Sequence, residues 1–441
     1  MGCHARIVFS YLIIIMSRKP YNWENGPDLI QQHSIAKHQI LQSYLAAYFQ
    51  TLVSSPNQDV LRLTLIDGFA GGGLYFHNDT RELVKGSPFI FLNATREAEF
   101  LLNKGRKKPI RLEVDYFFVE SDRHAYTHLD KVLREHGYGS QIGNTIHLKN
   151  AKFQDQADSI IDFVKNKSPR NGRSIFALDQ YGYSEVPTQL IQKIFSKLPS
   201  AEVILTFGVD SFLNYANDGK LTQSLLNKIG IPDIFNGRLI EDIKSSESDW
   251  RLFIQSSLYH TLVSQCGAKH FTPFFIRNKK GHGDYWLIHL SQHHKARDVM
   301  TEVHWDNNNY FIHYGGAGLN MFQMVGYDPN YDVKYNGHER QNILGFEFDD
   351  VARITSIMTL SEHIPRLVYA NDEGISFEVL FATTCNESPA SAAIYRESIA
   401  HLISEKTIEV VGADGQERRS AKQIKKDDQI IAPKQRGLFI T

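Results

Sequence analysis

Cysteine is scarce in this chain of 441 residues. Its three cysteines, Cys3, Cys266 and Cys385, lie far apart in the sequence and form no CxxC motif. Three cysteines are too few for a disulfide framework, and the lack of a CxxC motif argues against a structural zinc site. We therefore expect a protein of the reducing cytoplasm that carries no metal.

A surplus of either charge is also missing. Lysine and arginine number 48 and aspartate and glutamate 49, which gives a net charge of -1. The overall charge therefore favours neither a nucleic acid nor a membrane as partner, and any basic surface must be local.

The sequence has no hydrophobic run of membrane-spanning length near its start. The apolar stretch IVFSYLIII at 7–15 is too short to cross a bilayer, and no small-residue cleavage site follows it. We expect Met16 to be the true start and residues 1–33 to form an N-terminal extension. A signal or anchor segment at 1–15 is the alternative.

Short runs rich in β-branched and aromatic residues alternate with helical patterns in the first half of the chain. After a helix at 34–53, we expect strands at 61–67, 112–120, 144–149, 174–179 and 202–208, separated by helices at 87–103, 122–136, 154–166 and 186–197. Strands that are apolar on both faces and separated by helices predict an α/β fold with a doubly wound, mostly parallel sheet.

Two further strands are expected at 270–277 and 284–291, joined as a hairpin by the loop NKKGHG. Five parallel strands followed by a hairpin resemble the Rossmann-like sheet of class I methyltransferases. We expect such a domain over residues 34–325, with a helical insertion at about 211–266.

The last part of the chain, residues 326–441, has a different character. It begins with a polar, turn-rich segment and continues with helical patterns near 346–360, 374–383 and 391–404. A β-hairpin around Ala413–Gly415 and a final strand follow. Helices followed by a small β-wing predict a winged helix-turn-helix domain.

The stretch LTLIDGFAGGGLYF at 63–76 runs from a strand into an aspartate and a cluster of glycines. In doubly wound sheets, ligands bind at the carboxyl ends of the strands, where the strand order reverses. Asp67 and Phe69 stand at such an end, and Gly71 and Gly73 have no Cβ to keep a ligand from the backbone. We predict that these four residues bind a cofactor. A simple turn is the alternative.

Polar groups also follow three other predicted strands. Glu120 ends the second strand, where an acidic side chain can accept hydrogen bonds from both ribose hydroxyls of a nucleoside. Asn150 follows the third strand and is placed to flank an adenine. We predict that Glu120 and Asn150 bind the cofactor and that Asp179 and Tyr181, after the fourth strand, are catalytic. The alternative for the two carboxylates is that they cap the helices that follow.

The type of cofactor follows from what surrounds the glycines. A nicotinamide dinucleotide needs GxGxxG opening directly into a helix, whereas the next helix here begins only near Ser87. A P-loop is excluded because no GK[ST] follows the glycines. S-adenosylmethionine has no phosphate and does not need a helix N-terminus, so it fits best.

Several segments together resemble the bacterial three-Cys-motif partner proteins (TcmP). The likeness covers roughly residues 30–441 and implies a methyltransferase-like fold, S-adenosylmethionine as cofactor and a winged helix-turn-helix tail of the GMT type. It is carried by HSIAKHQILQSYLAAYF (33–49), LIDGFAGGG (65–73), GSPFIFL (86–92), FALDQYGYSEVP (176–187) and WLIHLSQHHKARDVMTEVHW (286–305).

One departure from the family pattern concerns the acceptor. The family implies Asp-Pro-Tyr-Gly after the fourth strand, and Gln180 stands in the place of the proline. Rigid prolines in (D/N)PPY motifs aim carbonyl and carboxamide groups at an exocyclic amine, so their loss argues against amine methylation. Cytosine C5 methylation needs a cysteine nucleophile nearby, and none lies between Cys3 and Cys266.

A local basic surface is predicted in the tail. Basic residues cluster in the expected wing, beside the expected recognition helix at 391–406, as in many nucleic-acid-binding proteins. A solvated charged face is the alternative. The predicted nucleic-acid-binding residues are Arg418, Arg419, Lys422, Lys425 and Lys426.

Two functions are compatible with these features. The first is an S-adenosylmethionine-dependent methyltransferase that acts on nucleic acid. The second is a non-catalytic protein that uses the same scaffold to bind nucleic acid or a protein partner, in phage defence or on a mobile element.

Overall fold

The computed structural model describes residues 21–433, apart from residues 25, 31, 181–183, 209–216, 236, 247–249, 277–284, 308–310, 314–315, 320 and 322–345. The chain forms two compact units. The first comprises residues up to 268 together with 276–292, and the second comprises residues 269–275 together with those from 293 onwards.

The elements are numbered in chain order. The strands are β1 (Leu29–Ile30), β2 (Val60–Asp67), β3 (Leu74–His77), β4 (Leu83–Lys85), β5 (Arg111–Glu120), β6 (Ile146–Asn150), β7 (Ser174–Leu178), β8 (Ala201–Gly208), β9 (His270–Ile276), β10 (Tyr285–Ser291), β11 (Phe311–His313), β12 (Phe346–Glu347), β13 (Ile375–Ser376), β14 (Glu409–Val411) and β15 (Gln429–Ile431). The helices are α1 (Gln32–Leu52), α2 (Ser87–Asn103), α3 (Arg123–Glu135), α4 (Phe153–Lys167), α5 (Thr188–Lys197), α6 (Lys220–Ile229), α7 (Ile240–Ser246), α8 (Trp250–Cys266), α9 (His294–Asp306), α10 (Asp350–Tyr369), α11 (Phe377–Thr384) and α12 (Ala392–Ser404).

The first unit is built on a parallel-rich sheet with the strand order β10-β8-β7-β2-β5-β6. β2 pairs in parallel with both β5 and β7, β5 with β6 and β7 with β8, while β10 is antiparallel to β8. Every residue of β7 and β8 is buried, and the two strands are accordingly apolar except for Ser174, Glu202 and Thr206. The predicted α/β class with a large, mostly parallel sheet is confirmed.

A second, small sheet follows the glycine cluster. β3 pairs with β4 in antiparallel fashion and with β1 in parallel, Leu29 lying opposite Phe76. The segment before β1 is fixed by Asp28, whose side chain accepts from the backbone N–H groups of Asn22 (2.5 Å) and Leu29 (2.7 Å). This small sheet therefore anchors residues 21–30 beside the end of β2.

Helices α6, α7 and α8 lie within the range of the expected insertion at 211–266. Among the described helices, none has both the length and the hydropathy that a membrane crossing requires. Residues 1–20, which include the expected start at Met16, are outside the described residues.

The second unit carries the helices and small strands expected for a winged helix-turn-helix. α10 packs against α12, and the strands pair in the order β13-β15-β14. The expected hairpin turn is closed by the N–H of Gly412, which donates to the carbonyl of Gln416 at 2.9 Å.

The second unit comprises residues 269–275 and those from 293 onwards, and the domain boundary at 325/326 stays a prediction. Buried polar residues of α9 bond within this unit. The fully buried Arg297 donates from Nη1 to the carbonyl of Ala390 (2.8 Å), and Asp298 Oδ1 accepts from the N–H of Ala392 (2.8 Å). These bonds tie α9 to the start of α12 and so to the second unit.

Candidate functional site

After the end of β2, the chain crosses the edge of the sheet from β7 to β5. The N–H of Gly68 donates to the carbonyl of Ala177 on β7, and the N–H of Ala70 donates to the carbonyl of Val119 on β5, both at 3.0 Å. The chain therefore passes from one neighbouring strand to the other within three residues. This is the point where the strand order reverses, and we call residues 68–73 the glycine bend.

The register of the sheet places two of the predicted carboxylates symmetrically about Asp67. Asp67 lies opposite Phe118 on β5 and Ala177 on β7. Glu120 and Asp179 each follow those partners by two residues, so they flank the end of β2. Strand pairing alone thus brings together three acidic residues that are far apart in the sequence.

Glu120 is bonded directly to the glycine bend. Its Oε2 accepts from the N–H of Gly71 at 2.8 Å, and its Oε1 accepts from the N–H of Asp122 at 2.7 Å. Burial raises the pKa of Glu120, although these two N–H groups act in the opposite direction. The half-buried carboxylate thus stands next to the bend with lone pairs left for a further donor.

Asn150 supports Glu120 through the backbone. Its exposed side-chain amide donates to the carbonyls of Glu120 (2.9 Å) and Ser121 (3.3 Å). Phe69 is half-buried, with its ring centroid 6.5 Å from that of Phe153. Asn150 therefore uses its amide donors to hold the end of β5.

Asp67 is a buried carboxylate with an incomplete set of partners. Its Oδ1 accepts from the N–H of Phe69 at 3.1 Å, whereas Oδ2 accepts no hydrogen bond. Burial raises the pKa of Asp67 to about 7, an effect that the nearby Ser87 hydroxyl partly offsets and that the charges of Asp179 and Glu120 reinforce. A buried oxygen of this kind is a natural acceptor for a ligand donor.

The lack of a Cβ in the glycine bend serves contacts within the chain. A Cβ on Gly72 would lie 2.3 Å from the indole ring of Trp23, and one on Gly71 would lie 2.2 Å from the hydroxyl of Tyr75. Gly71 and Gly73 also have positive φ, +60° and +81°. The sequence pattern predicts that a ligand contacts the bare backbone of the glycine bend. At Gly72, the indole ring of Trp23 makes this contact instead.

Trp23 belongs to an aromatic cluster with Tyr21, Tyr75 and His128. The ring centroid of Trp23 lies 5.1 Å from those of both Tyr75 and His128. His128 Nδ1 in turn lies 2.6 Å from the carbonyl oxygen of Gly72. This cluster lies against the bend, and of its members only Tyr75 belongs to a stretch that the sequence singles out.

Asp179 is paired with a lysine from the first helix. Lys37 Nζ lies 2.5 Å from both carboxylate oxygens of Asp179. The Lys37 side chain is 10% exposed and that of Asp179 41%. Burial would raise the pKa of Asp179, but the Lys37 ammonium outweighs it and the pKa is lowered. Asp179 is therefore an anion held by an ammonium.

His38 lies next to this pair. Burial and then the charge of Lys37 lower its pKa to about 4, so the imidazole is neutral at pH 7. Its Nδ1 is buried without a hydrogen-bond partner. From the sequence, Lys37 and His38 near a helix start are expected to be capping or surface residues, and a position over the cofactor crevice is the alternative. No local pattern indicates the contact of Lys37 with a residue 142 positions away.

The position of α1 is fixed by a buried polar cluster further along the helix. The Tyr44 hydroxyl donates to Glu202 Oε2 on β8 and lies 3.2 Å from His289 Nε2 on β10. His289 Nε2 lies 2.9 Å from the same Glu202 oxygen. All three residues are buried. Because Lys37 and Tyr44 are seven residues apart on one helix face, this cluster holds Lys37 over Asp179.

Gln180 has a fixed amide orientation. It is 3% exposed, and its Oε1 accepts from the N–H groups of Glu185 (2.8 Å) and Val186 (3.0 Å). Its Nε2 is buried without a hydrogen-bond partner. Tyr181, the other residue predicted as catalytic, lies outside the described residues.

The basic residues predicted in the tail divide into two groups. Arg418 is buried: its Nε donates to Asp428 Oδ2 at 2.9 Å and its Nη1 to Asp414 Oδ2 at 3.2 Å. The structure therefore places Arg418 in an ion pair inside the wing instead of on its surface. The four that remain exposed are Arg419, Lys422, Lys425 and Lys426.

Chemically, the end of the sheet combines acids with few fixed donors. Glu120 and Asp67 offer acceptor oxygens beside a bare backbone, and the Lys37–Asp179 pair lies on the other side of Asp67. Among the described residues, no cluster of three or more histidine, cysteine or acidic side chains has a metal-binding arrangement. The arrangement suits a nucleoside with a polar, cationic tail better than a phosphate.

Comparison with known proteins bears mainly on the second unit. The family model of the GMT-like winged helix-turn-helix domain matches residues 331–415. No curated relative matches the chain.

Solved structures resemble the chain only distantly. A putative O-methyltransferase from Klebsiella pneumoniae is 10% identical over 65% of this chain and 96% of its own, with a TM-score of 0.25. PKMT2 from Rickettsia typhi is 12% identical over 57% and 53%, with a TM-score of 0.26. A Legionella pneumophila protein of family model DUF519 is 12% identical over 44% and 73%, with a TM-score of 0.27. These scores are too low to support an inference about function.

The contact between Trp23 and Gly72 predicts the effect of a single methyl group. We expect Gly72→Ala to lower the free energy of unfolding by about 1–3 kcal/mol, because the added Cβ overlaps the indole ring. Gly139→Ala is the matched control, since a Cβ there lies 3.6 Å from Arg134 in ordinary contact. Denaturant unfolding measures both. Equal stability of the two variants would contradict the contact.

The burial of Asp67 predicts a pH dependence of stability. Because its pKa is raised from 3.8 to about 7, the folded state binds the proton more tightly. The unfolding free energy should therefore fall as the pH rises from about 4 to about 7, by up to about 4 kcal/mol. Asp67→Asn should remove this decrease.

The control for this measurement is Asp162→Asn, which replaces an exposed carboxylate on α4. Denaturant unfolding at pH 5 and pH 8 gives the difference. If the stability of Asp67→Asn falls as much as that of wild type between these two pH values, the ionisation of Asp67 is not what the structure implies.

Proposed function

We propose that the chain is an S-adenosylmethionine-dependent methyltransferase of the three-Cys-motif partner type that acts on nucleic acid. The observation that supports this most is the position of Glu120. Its carboxylate stands at the end of the second parallel strand and bonds to Gly71, at the point where the strand order reverses. Ligands of doubly wound sheets bind at such points.

The residues of the bend fit the two polar parts of this cofactor. Glu120 would accept from the ribose hydroxyls with the lone pairs that Gly71 and Asp122 leave open. Asp67 Oδ2, buried and without a partner, would accept from the ammonium of the methionine part. Asn150 would act by holding the end of β5. When bound, the cofactor supplies an electrophilic methyl group on a sulfonium.

We assign to Asp179 the position next to the substrate group that accepts the methyl group. It flanks Asp67 on the side opposite to Glu120, so a donor lying along the bend would have Glu120 at one end and Asp179 near the other. Methyl transfer of this kind gains mainly from positioning two reactants in line. Lys37 and the Tyr44 cluster would fix the carboxylate for this purpose.

Nucleic acid is the proposed substrate because of the second unit. The matched winged helix-turn-helix family and four exposed basic residues on the described wing support this assignment. Exposed lysines and arginines bind phosphates without reading sequence, and they position the strand.

A second candidate is a non-catalytic protein that binds nucleic acid or a protein partner. It is favoured by Trp23, whose ring lies against Gly72, and by Lys37, which already pairs with Asp179. It differs from the first in a simple way: it requires no binding of the methyl donor at all.

The proposed cofactor site predicts a selective decrease in donor binding. Glu120→Gln should weaken the binding of S-adenosylhomocysteine by about 10-fold or more, because a charge-assisted hydrogen bond contributes about 1.5–3 kcal/mol. The variant keeps an acceptor oxygen for Gly71. Glu97→Gln, on the exposed face of α2, is the matched control. Calorimetry that detects binding of neither S-adenosylmethionine nor S-adenosylhomocysteine to wild type at millimolar concentration would reject the proposed function.

The proposed substrate predicts a salt-dependent effect of the wing. Replacing Arg419, Lys422 and Lys425 together by glutamine should weaken the binding of a mixed-sequence RNA. The dependence of log K on log salt should become less steep by roughly 0.7 for each phosphate that the wing no longer neutralises. Fluorescence anisotropy at several salt concentrations measures both quantities.

The control replaces three exposed lysines of the first unit, Lys104, Lys107 and Lys131, in the same way. Its net charge equals that of the wing variant, so only position differs. An identical decrease in affinity in both variants would mean that the wing is not the binding surface.

A further inference from the structure

We infer that the acceptor atom is a hydroxyl oxygen, and hence that the substrate is RNA methylated on the ribose 2′-hydroxyl. This inference rests on the proposed function and specifies its acceptor. Internal nucleotides of RNA carry a free hydroxyl and those of DNA do not, so an oxygen acceptor in nucleic acid points to RNA.

The first argument is the orientation of the Gln180 amide. A site for an exocyclic amine must offer acceptor oxygens to its two N–H groups. The only side-chain oxygen of Gln180 already accepts from the N–H groups of Glu185 and Val186. What remains is Nε2, a buried donor without a partner. The Gln180 side chain therefore keeps one donor without a partner and no open acceptor, which suits an oxygen better than an exocyclic amine.

The second argument is the pairing of Asp179. Both of its carboxylate oxygens lie 2.5 Å from Lys37 Nζ, so an ammonium stands next to any acceptor that bonds to this carboxylate. An amine gains positive charge as it attacks the methyl group, and an adjacent ammonium opposes that charge. A hydroxyl gains negative charge as it loses its proton, and the same ammonium stabilises it. The ammonium of Lys37 thus favours an oxygen acceptor over an amine.

The reaction balances with the groups present and the methyl donor. A lone pair of the hydroxyl oxygen forms the new O–CH3 bond while the S–CH3 bond breaks. The electrons of the broken S–CH3 bond stay on sulfur, which gives S-adenosylhomocysteine. The hydroxyl proton passes to the carboxylate of Asp179. Because the Asp179 side chain is 41% exposed, that proton can then leave to solvent. Lys37 acts as a positioning residue that keeps Asp179 anionic.

The test offers the whole protein every nucleic-acid acceptor at once. Purified protein is incubated with labelled S-adenosylmethionine and with total RNA and total DNA from the cells that encode it. The nucleic acids are digested to nucleosides and separated with mass detection. We expect label in 2′-O-methylated ribonucleosides. Label on a base nitrogen or carbon overturns the inference but leaves the proposed function standing.

Absence of label in every fraction also overturns the inference. Calorimetry with S-adenosylhomocysteine then separates the two possibilities. If S-adenosylhomocysteine binds, only the acceptor assignment has failed. If it does not bind, the proposed function has failed as well.

A set of variants tests the role of Lys37. Lys37→Met should lower kcat at least 10-fold with donor affinity unchanged. It should also move the acid limb of the pH–activity profile to higher pH, because removal of the ammonium raises the pKa of Asp179. Lys37→Arg should restore the limb, and Lys165→Met on the exposed face of α4 should behave as wild type. If the acid limb of the pH–activity profile of Lys37→Met lies at the same pH as that of wild type, the electrostatic argument is overturned.

Discussion

The constraint on which the first unit depends is the crossing at the end of β2. The chain must leave one parallel neighbour and reach the other within a few residues, and the N–H groups of Gly68, Ala70 and Gly71 take successive partners on β7, on β5 and in Glu120. The placement of the three carboxylates of the candidate site follows from this path. It brings Glu120 to the backbone, buries Asp67 and leaves Asp179 on the far side.

The polar groups of the site are held by elements outside the sheet. The segment before β1 brings Trp23 onto the glycine bend, and α1 brings Lys37 onto Asp179. The buried cluster of Tyr44, Glu202 and His289 costs desolvation, and its three polar contacts join its own members, while His289 Nδ1 has no hydrogen-bond partner. Such a cluster fixes the position of α1 on the sheet. The ion pair between Lys37 on this helix and Asp179 depends on that position.

Much of the fold is accessible from the sequence, and the site is accessible in part. The runs that form β7 and β8 are mostly apolar, so period and composition locate them. Glu120 follows from strand ends alone. Trp23 and Lys37 do not, because their contacts join positions that no local pattern connects. The lack of a Cβ at Gly72 does indicate a close contact with the backbone. In the part of the chain that the structure describes, the group in contact is the indole ring of Trp23.

The central claim is that the end of β2 between Glu120 and Asp67 receives a nucleoside. A crystal structure of the protein with S-adenosylhomocysteine tests it most directly. The predicted result places both ribose hydroxyls within hydrogen-bond distance of the Glu120 carboxylate. A structure in which the ligand binds elsewhere, with the Trp23 ring and Glu120 arranged as they are here, would contradict it.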